Sequence, residues 1–599
     1  MIVRLLCPPL LLAVLSLTGP TPASAAEAGA SAAAAAPNET TRQLRELYDA
    51  EWRWRQQEFV RVREPDGRWE DGDRMPSVTP QAWQRRVAYW EKALAELDAL
   101  PQAQLSDEER INAAVFRTSV TIELNNARYR TYEAPFNSDT FFWGGLNPRR
   151  PYQKAEEYRR LLGRLHDLPR YFDENIANMR AGLARGYSVP RVAIEGRDRT
   201  IEAYAKGGAD NPFTATFAAI PAHLGEQTRR ALQAEGERAI RDEVAPAYAK
   251  LLRFMREEYL PRTRTSTAAR ELPDGEAFYR SQILEYTTTD LTPAQIHEIG
   301  KQEVARISAE MHEVMRKAGF KGSFAEFLAF LRSDPQFYAK TPRELLSYSA
   351  YVTKKVDGRL EDLFTQLPRK RFAILPVPDD IAPIYTSGRG GLDSCLMNTY
   401  DLPSRPLYTL AALTLHECVP GHSHQAAMAL EAPDRPDFRR QTYFSGYGEG
   451  WGLYTEWLGI ELGVYETPYE DFGRLTFEMW RAARLVIDTG LHEYGWNRQQ
   501  AIDYLSQHTA LAPHDIRTEV DRYISWPGQA LAYYLGYRSI RQLRSEAETT
   551  LGTRFNEAKF HDTLLNLGSV PLPVLEREMR RFVATSQAEV TTAPAAAAR

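Results

Sequence analysis

A proline set between two histidines constrains this chain more than any other feature. The stretch Leu415-His416-Glu417-Cys418-Val419-Pro420-Gly421-His422 reads as helix on both sides of a break. On one straight helix, residues six apart lie roughly 120° out of line, so His416 and His422 could not share a face. Pro420 has no N–H to give the His416 carbonyl, and its ring crowds that carbonyl, which stops or kinks the helix. Gly421 then opens backbone angles closed to other residues. The expected outcome is one helix ending at His416 and Glu417, a sharp re-aim, and a second helix opening at His422.

Two imidazoles turned toward one point invite a carboxylate. The segment Gly446-Tyr447-Gly448-Glu449-Gly450-Trp451-Gly452-Leu453-Tyr454 offers Glu449, with glycines on either side that let its backbone pack close to the first helix. Two neutral imidazoles and a carboxylate suit Zn2+ best, although other divalent ions would fit, and a catalytic zinc site keeps one position open for water. The expected metal ligands are therefore His416, His422 and Glu449. Glu456, two turns on, is the alternative ligand or else an acceptor for a ligand imidazole. Glu417 sits one residue past His416, about 100° round the helix, where it can take a proton from water without binding the metal. For an oxyanion donor the candidates are His492, after the apolar Leu485-Val486-Ile487, and Tyr534 or its neighbour Tyr533. Arg389 and Arg522 are placed to grip a substrate carboxylate, whereas His514 and His561 are read as structural.

The chain resembles the bacterial family called domain of unknown function 885, which carries a His-Glu-x-x-Pro-Gly-His signature followed by Glu-Gly-Trp-x-Leu-Tyr. Both stand here, at His416 to His422 and at Glu449 to Tyr454. Further matching stretches are Tyr286 to Pro293, Asn398 to Leu402, Asp488 to His492 with Gly495-Trp496, and Pro527 to Leu531. Where members usually continue His-His-x-Gln, this chain reads His422-Ser423-His424-Gln425. The resemblance implies a mostly helical zinc-peptidase-like protein, similar in plan to carboxypeptidase Taq and the angiotensin-converting enzyme group, with the third ligand a Glu on a later helix.

The ends of the chain read differently. Arg4, the apolar run Leu10 to Leu17 and Ala23-Ser24-Ala25 have the layout of a secretory signal over 1–25. Cys7 precedes the apolar run instead of following it, which argues against a lipid-anchored cysteine, so an exported, periplasmic or secreted protein with no stable membrane insertion is expected. Residues 26–37 and 586–599 are Ala-rich and expected to be disordered. Between them, 38–585 shows no Ser/Gly/Pro linker and reads as one large domain. A net charge of −5 with interleaved signs shows no basic stripe for nucleic acid. Once Cys7 leaves with the leader, Cys395 and Cys418 remain; an exported chain could oxidise them into one bridge, although Cys418 is most simply a small buried residue beside the site.

Helical signals dominate. Thr40 to Phe59 and Ala155 to Ala184 are amphipathic, and Thr292-Pro293-Ala294-Gln295 announces a helix by N-cap, Pro at the first position and a reaching Gln. Phe372 to Pro378 is extended, Tyr385 to Gly391 is a loop or hairpin, and Cys395 to Tyr400 is a strand whose edge could pair an extended peptide. The expectation is a mainly α, single helical zinc-peptidase-like domain with a small strand region beside the site. Its substrate is expected to be a peptide or other small amide, cleaved by metal-activated water. A metalloamidase or esterase, and a non-catalytic exported metal-containing binding protein, are the alternatives.

Overall fold

The computed structural model describes residues 38–65, 68–148, 151–379, 381–432 and 435–591. The expected leader and the Ala-rich segment 26–37 lie outside them. The fold is mainly α, one large helical domain with two small sheets. Among the described residues no helix is long and apolar enough to cross a membrane.

Local chemistry sets the helix ends. Thr292 Oγ1 accepts from Gln295 N at 3.3 Å while Gln295 Oε1 accepts from Thr292 N at 2.9 Å, and the helix so started runs Pro293–Lys317. Ile296, Val304, Ile307, Met311 and Val314 form its buried stripe, as their spacing predicts. The helix Ala155–Arg185 ends at Gly186 with φ 80°, where a residue without Cβ suits the left-handed turn. The last helix, Leu572–Thr591, runs past the 585 boundary expected from composition.

At the centre lies the helix Pro468–His492, whose side chains from Phe472 to His492 are all buried except Trp480. A wholly buried helix is normally apolar all round. This one carries Arg474, Glu478, Arg481, Arg484, Asp488 and His492 at steps of three and four, a polar stripe inside the protein. Each finds partners there: Arg474 pairs with Glu478, Arg481 with Glu456 and Arg484 with Glu519, as buried charges must.

Apolar side chains gather in two clusters. The first spans the C-terminal half and the helices Glu39–Glu58, Pro80–Ala99 and Asp107–Arg128. The second, between Met75 and Tyr259, is built on Ala155–Arg185 and its neighbours. Strands β1 (Arg61–Arg63) and β2 (Trp69–Asp71) form an antiparallel ribbon. Strands β3 (Ala373–Pro376), β4 (Gly388–Arg389) and β5 (Ser394–Met397) form a sheet in the order β3-β5-β4, with β5 parallel to β3 and antiparallel to β4. The strand expected to offer an edge, β5, is thus the central one, and β4 is the edge nearest the histidine motif.

Candidate metal centre

The break forms as the sequence requires. One helix covers Leu407–Glu417, the Val419–Pro420 peptide is cis, and a second helix covers His422–Glu431. Ser423 Oγ donates to the Glu417 carbonyl at 3.1 Å, and Trp451 Nε1 donates to the Pro420 carbonyl at 2.9 Å, so the turn's carbonyls are satisfied. Trp451 belongs to the glycine-rich helix Ser445–Glu461. That helix can approach because Gly452 has no side chain: a Cβ there would stand 2.7 Å from the His416 ring.

These elements bring His416, His422 and Glu449 together. One donor atom from each lies within 4.8 Å of the others, a group that could hold a metal ion. His416 Nε2 and His422 Nε2 face the same Glu449 oxygen at 3.5 and 3.3 Å. Behind His416, Glu456 Oε1 lies 2.8 Å from Nδ1, and Arg481 Nη2 lies 3.3 Å from that same carboxylate oxygen. The Arg481 guanidinium is itself stacked 4.3 Å from the Trp480 ring centroid.

The donor set fits a cation on physical grounds. With Nδ1–H given to Glu456, a neutral His416 would aim its Nε2 lone pair at a carboxylate oxygen, an arrangement that needs positive charge between them. A proton can supply that charge. Burial pushes the His416 imidazole down, but hydrogen bonds to Glu449 and Glu456 and the charge of Glu417 outweigh it and hold its pKa up at about 9. Burial likewise opposes ionisation of Glu449, yet His422 and His416 hold its carboxyl well below the usual range. A divalent ion at the same point would replace the proton, and the Glu456 acceptor already fixes the tautomer a metal needs.

Glu417 is beside this group and outside it. Its Oε2 accepts from Gly390 N at 2.5 Å, and Gly390 packs so closely on the Glu417 carbonyl and His422 Cβ that no side chain would fit there. Gly390 follows β4, and the loop before β4 is pinned by Asn398, whose Nδ2 donates to the carbonyls of Ala382, Tyr385 and Thr386. Met397 O accepts from Val377 N, and Asn398 N donates to Ser387 O, so alternation along the ladder directs the Gly388 N–H and C=O away from β5. The exposed Arg389 side chain is in electrostatic reach of Glu417 and Glu449.

Two expected participants stand elsewhere. His492 is fully buried, its Nδ1 accepts from Ala269 N at 3.1 Å and its Nε2 lies 2.9 Å from the Tyr523 carbonyl, so no N–H is left to offer a substrate. Tyr534 is 1% exposed and its hydroxyl is committed to Glu303 and Arg306 at 2.9 and 3.0 Å. Its neighbour Tyr533, about 100° round the same helix, stacks instead on Arg484 at 4.3 Å. Arg522 is engaged by Glu519 at 2.7 Å and by Gln529 at 2.9 Å. Sequence reasoning missed Tyr443, which is 55% exposed, has its hydroxyl against Gly448 and lies in electrostatic reach of Glu449. A tyrosine just ahead of a Gly-x-Gly-Glu-Gly helix start was the available signal. It also missed Arg481, for which the signal was a titratable stripe at helical spacing.

Cys395 and Cys418 are joined by a disulfide, against the expectation of a lone small residue. The bond ties β5 to the residue directly after Glu417. Sequence separation could not reveal it, because β5 reaches that residue only through the sheet.

Fold and cluster together define a mainly helical protein with a His-His-Glu group of metal-binding geometry and a carboxylate beside it. The family described as bacterial protein of unknown function (DUF885) matches residues 64–579, and the chain belongs to that family. A crystal structure described as "the putative lipoprotein from Colwellia psychrerythraea" superposes with a TM-score of 0.82 at 27% identity, covering 91% of this chain and 99% of that one. A "putative lipoprotein of unknown function from Shewanella oneidensis" shares the fold, with a TM-score of 0.67 at 17% identity over 91% of this chain and 100% of its own. No curated protein matches.

Proposed function

We infer that this chain is a metal-dependent hydrolase, a zinc peptidase acting on small or extended peptides outside the cytoplasm. The observation that carries the reading is the convergence of His416, His422 and Glu449 with the Glu417 carboxylate held next to them and left out of the ligand set. A site built only to hold a structural ion has no use for that fourth group. Zinc, when bound, supplies a Lewis acid that polarises a carbonyl and lowers the pKa of water to ~7.

The protein's own groups then have defined tasks. Glu417, oriented by the Gly390 N–H, takes the proton from the attacking water and can return it to the leaving amine. Tyr443, with its hydroxyl against Gly448 in electrostatic reach of Glu449, replaces His492 and Tyr534 as the donor for the developing oxyanion. Beside the site, β4 is an edge strand of its sheet, with Gly388 buried and Arg389 exposed. Arg389, on the same edge, meets a substrate carboxylate.

Export is supported by the leader pattern in 1–25 and by the description of the Colwellia relative as a lipoprotein. Glu417→Gln and Glu449→Ala test the reading when compared with wild type for zinc content and for digestion of a peptide library read by mass spectrometry. Glu417→Gln should keep zinc and lose roughly 10²–10⁴-fold in rate, while Glu449→Ala should lose the metal. Unchanged cleavage by Glu417→Gln would remove the mechanism.

A further inference from the structure

A cavity of about 320 Å³ opens where the two apolar clusters meet, walled by Phe136 and Val189 from one side and by Tyr187, Leu272, Phe278 and Ile524 from the other. None of His416, Glu417, His422 or Glu449 lines it. Two charged side chains do, Arg264 and Glu285, and they are treated unlike the paired charges elsewhere in the interior.

Arg264 donates from Nε to the Ser188 carbonyl at 3.0 Å and from Nη1 to the Ala268 carbonyl at 2.7 Å, and among the described residues no carboxylate forms an ion pair with it. Glu285 accepts from Asn126 Nδ2 at 2.9 Å and from Gln282 Nε2 at 3.3 Å, and likewise has no cationic partner among the described residues. A guanidinium and a carboxyl that border one cavity without meeting leave it with two opposite poles. Burial pushes the Glu285 carboxyl up to about 7 and the Arg264 guanidinium down to about 10, so each gains from an opposite charge brought beside it. The volume stands at the lower end of the ~300–1,000 Å³ typical of small-molecule sites, which suits a ligand of amino-acid to dipeptide size. The rest of the lining mixes aromatic and aliphatic side chains with the polar Asn126, Asn137, Thr140 and Gln282. Trp526, on the rim, is fixed by its Nε1 donating to the Tyr286 hydroxyl at 2.6 Å.

We propose that this cavity binds a small zwitterion, a free amino acid or dipeptide, with its carboxylate on Arg264, its ammonium on Glu285 and its side chain against the apolar wall. The site is separate from the metal group, and binding there requires neither metal nor turnover.

Isothermal titration calorimetry tests this on the full chain carrying Glu417→Gln and treated with chelator, so that hydrolysis and coordination contribute nothing. The probes are L-leucine, N-acetyl-L-leucine and L-leucinamide. L-Leucine should bind at least tenfold more tightly than either blocked form. Glu285→Gln should weaken L-leucine at least tenfold and abolish its advantage over N-acetyl-L-leucine. Arg264→Gln should abolish the advantage over L-leucinamide. Because Arg264 also holds two backbone carbonyls, its variant can fail to fold, and the near-isosteric Glu285→Gln then decides alone. Equal binding of L-leucine and N-acetyl-L-leucine, no heat from L-leucine at millimolar concentration, or an affinity indifferent to Glu285→Gln would each overturn the proposal.

Discussion

His416 is held by a relay of three side chains, Arg481 to Glu456 to His416, in which each buried charge is answered by the next. The relay fixes which imidazole nitrogen is free for a metal. Glu456→Gln keeps the shape but weakens the acceptor, so zinc affinity should fall about 10–100-fold, read by competition against a chromophoric chelator. An unchanged affinity would mean that Glu456 orients nothing. His492 gives the contrasting case. Both its nitrogens serve the backbone, so His492→Asn should cost about 1–3 kcal/mol of stability while leaving cleavage per folded molecule unchanged, measured by chemical denaturation and an activity titration. At this scale the approach of His416 and His422, with Glu417 beside them, was legible because helix geometry around Pro420 is local, and the glycines flanking Glu449 marked the helix that packs against them. Tyr443 and Arg481 were not, since their places depend on how distant helices pack.

Three elements meet at the site: the broken helix pair, the glycine-rich helix Ser445–Glu461 and the edge strand β4. Gly452 decides how near the second comes to the first, and Gly452→Ala should force the His416 ring or the helix aside, costing about 1–3 kcal/mol together with metal affinity. Zinc retention equal to wild type would show that the contact is slack. The Cys395–Cys418 bond closes a loop over a sequence separation of 23. A Cys395→Ala, Cys418→Ala double variant should lose about 3 kcal/mol by the chain-entropy relation, with the loss disappearing when both proteins are compared under reducing conditions. Helix positions were readable from periodicity and caps, as at Thr292. Strand order was not, because the sheet is closed by parallel pairing of β3 with β5, which no turn sequence announces.

The whole molecule buries many titratable side chains, among them Glu456, Arg484, Asp488, His492 and His561. His492 and His561 are fully buried and burial holds both at about 3, far below the ordinary 6.5. Below pH 6.5 the unfolded chain therefore binds protons that the folded chain refuses. Their contribution to stability is complete above that pH and is lost as pH falls toward 3, by about 2 kcal/mol per residue between pH 7 and 5. Asp488, pushed up to about 7 by burial, acts with the opposite sign, its contribution being complete below its ordinary 3.8 and lost as pH rises through 7. Individual variants separate the terms: the stability gap between wild type and His561→Asn should narrow by about 2 kcal/mol from pH 7 to pH 5. A gap independent of pH would show that His561 is not buried neutral. The mainly helical class and the single domain were legible from amphipathic periodicity and from the missing linker. The division into two apolar clusters, with a cavity between them, was not, since it arises from contacts far apart in sequence.

Hydrolysis by this chain is proposed to depend on one metal ion held by His416, His422 and Glu449. The most direct measurement follows peptide cleavage by the purified protein before chelation, after chelation and after one equivalent of zinc is returned, with metal content determined at each stage. The account predicts about one zinc per chain, cleavage lost with the metal and restored with it, and no restoration in Glu449→Ala. Cleavage that persists without metal, or a chain that holds zinc at those residues and cleaves nothing, would contradict it.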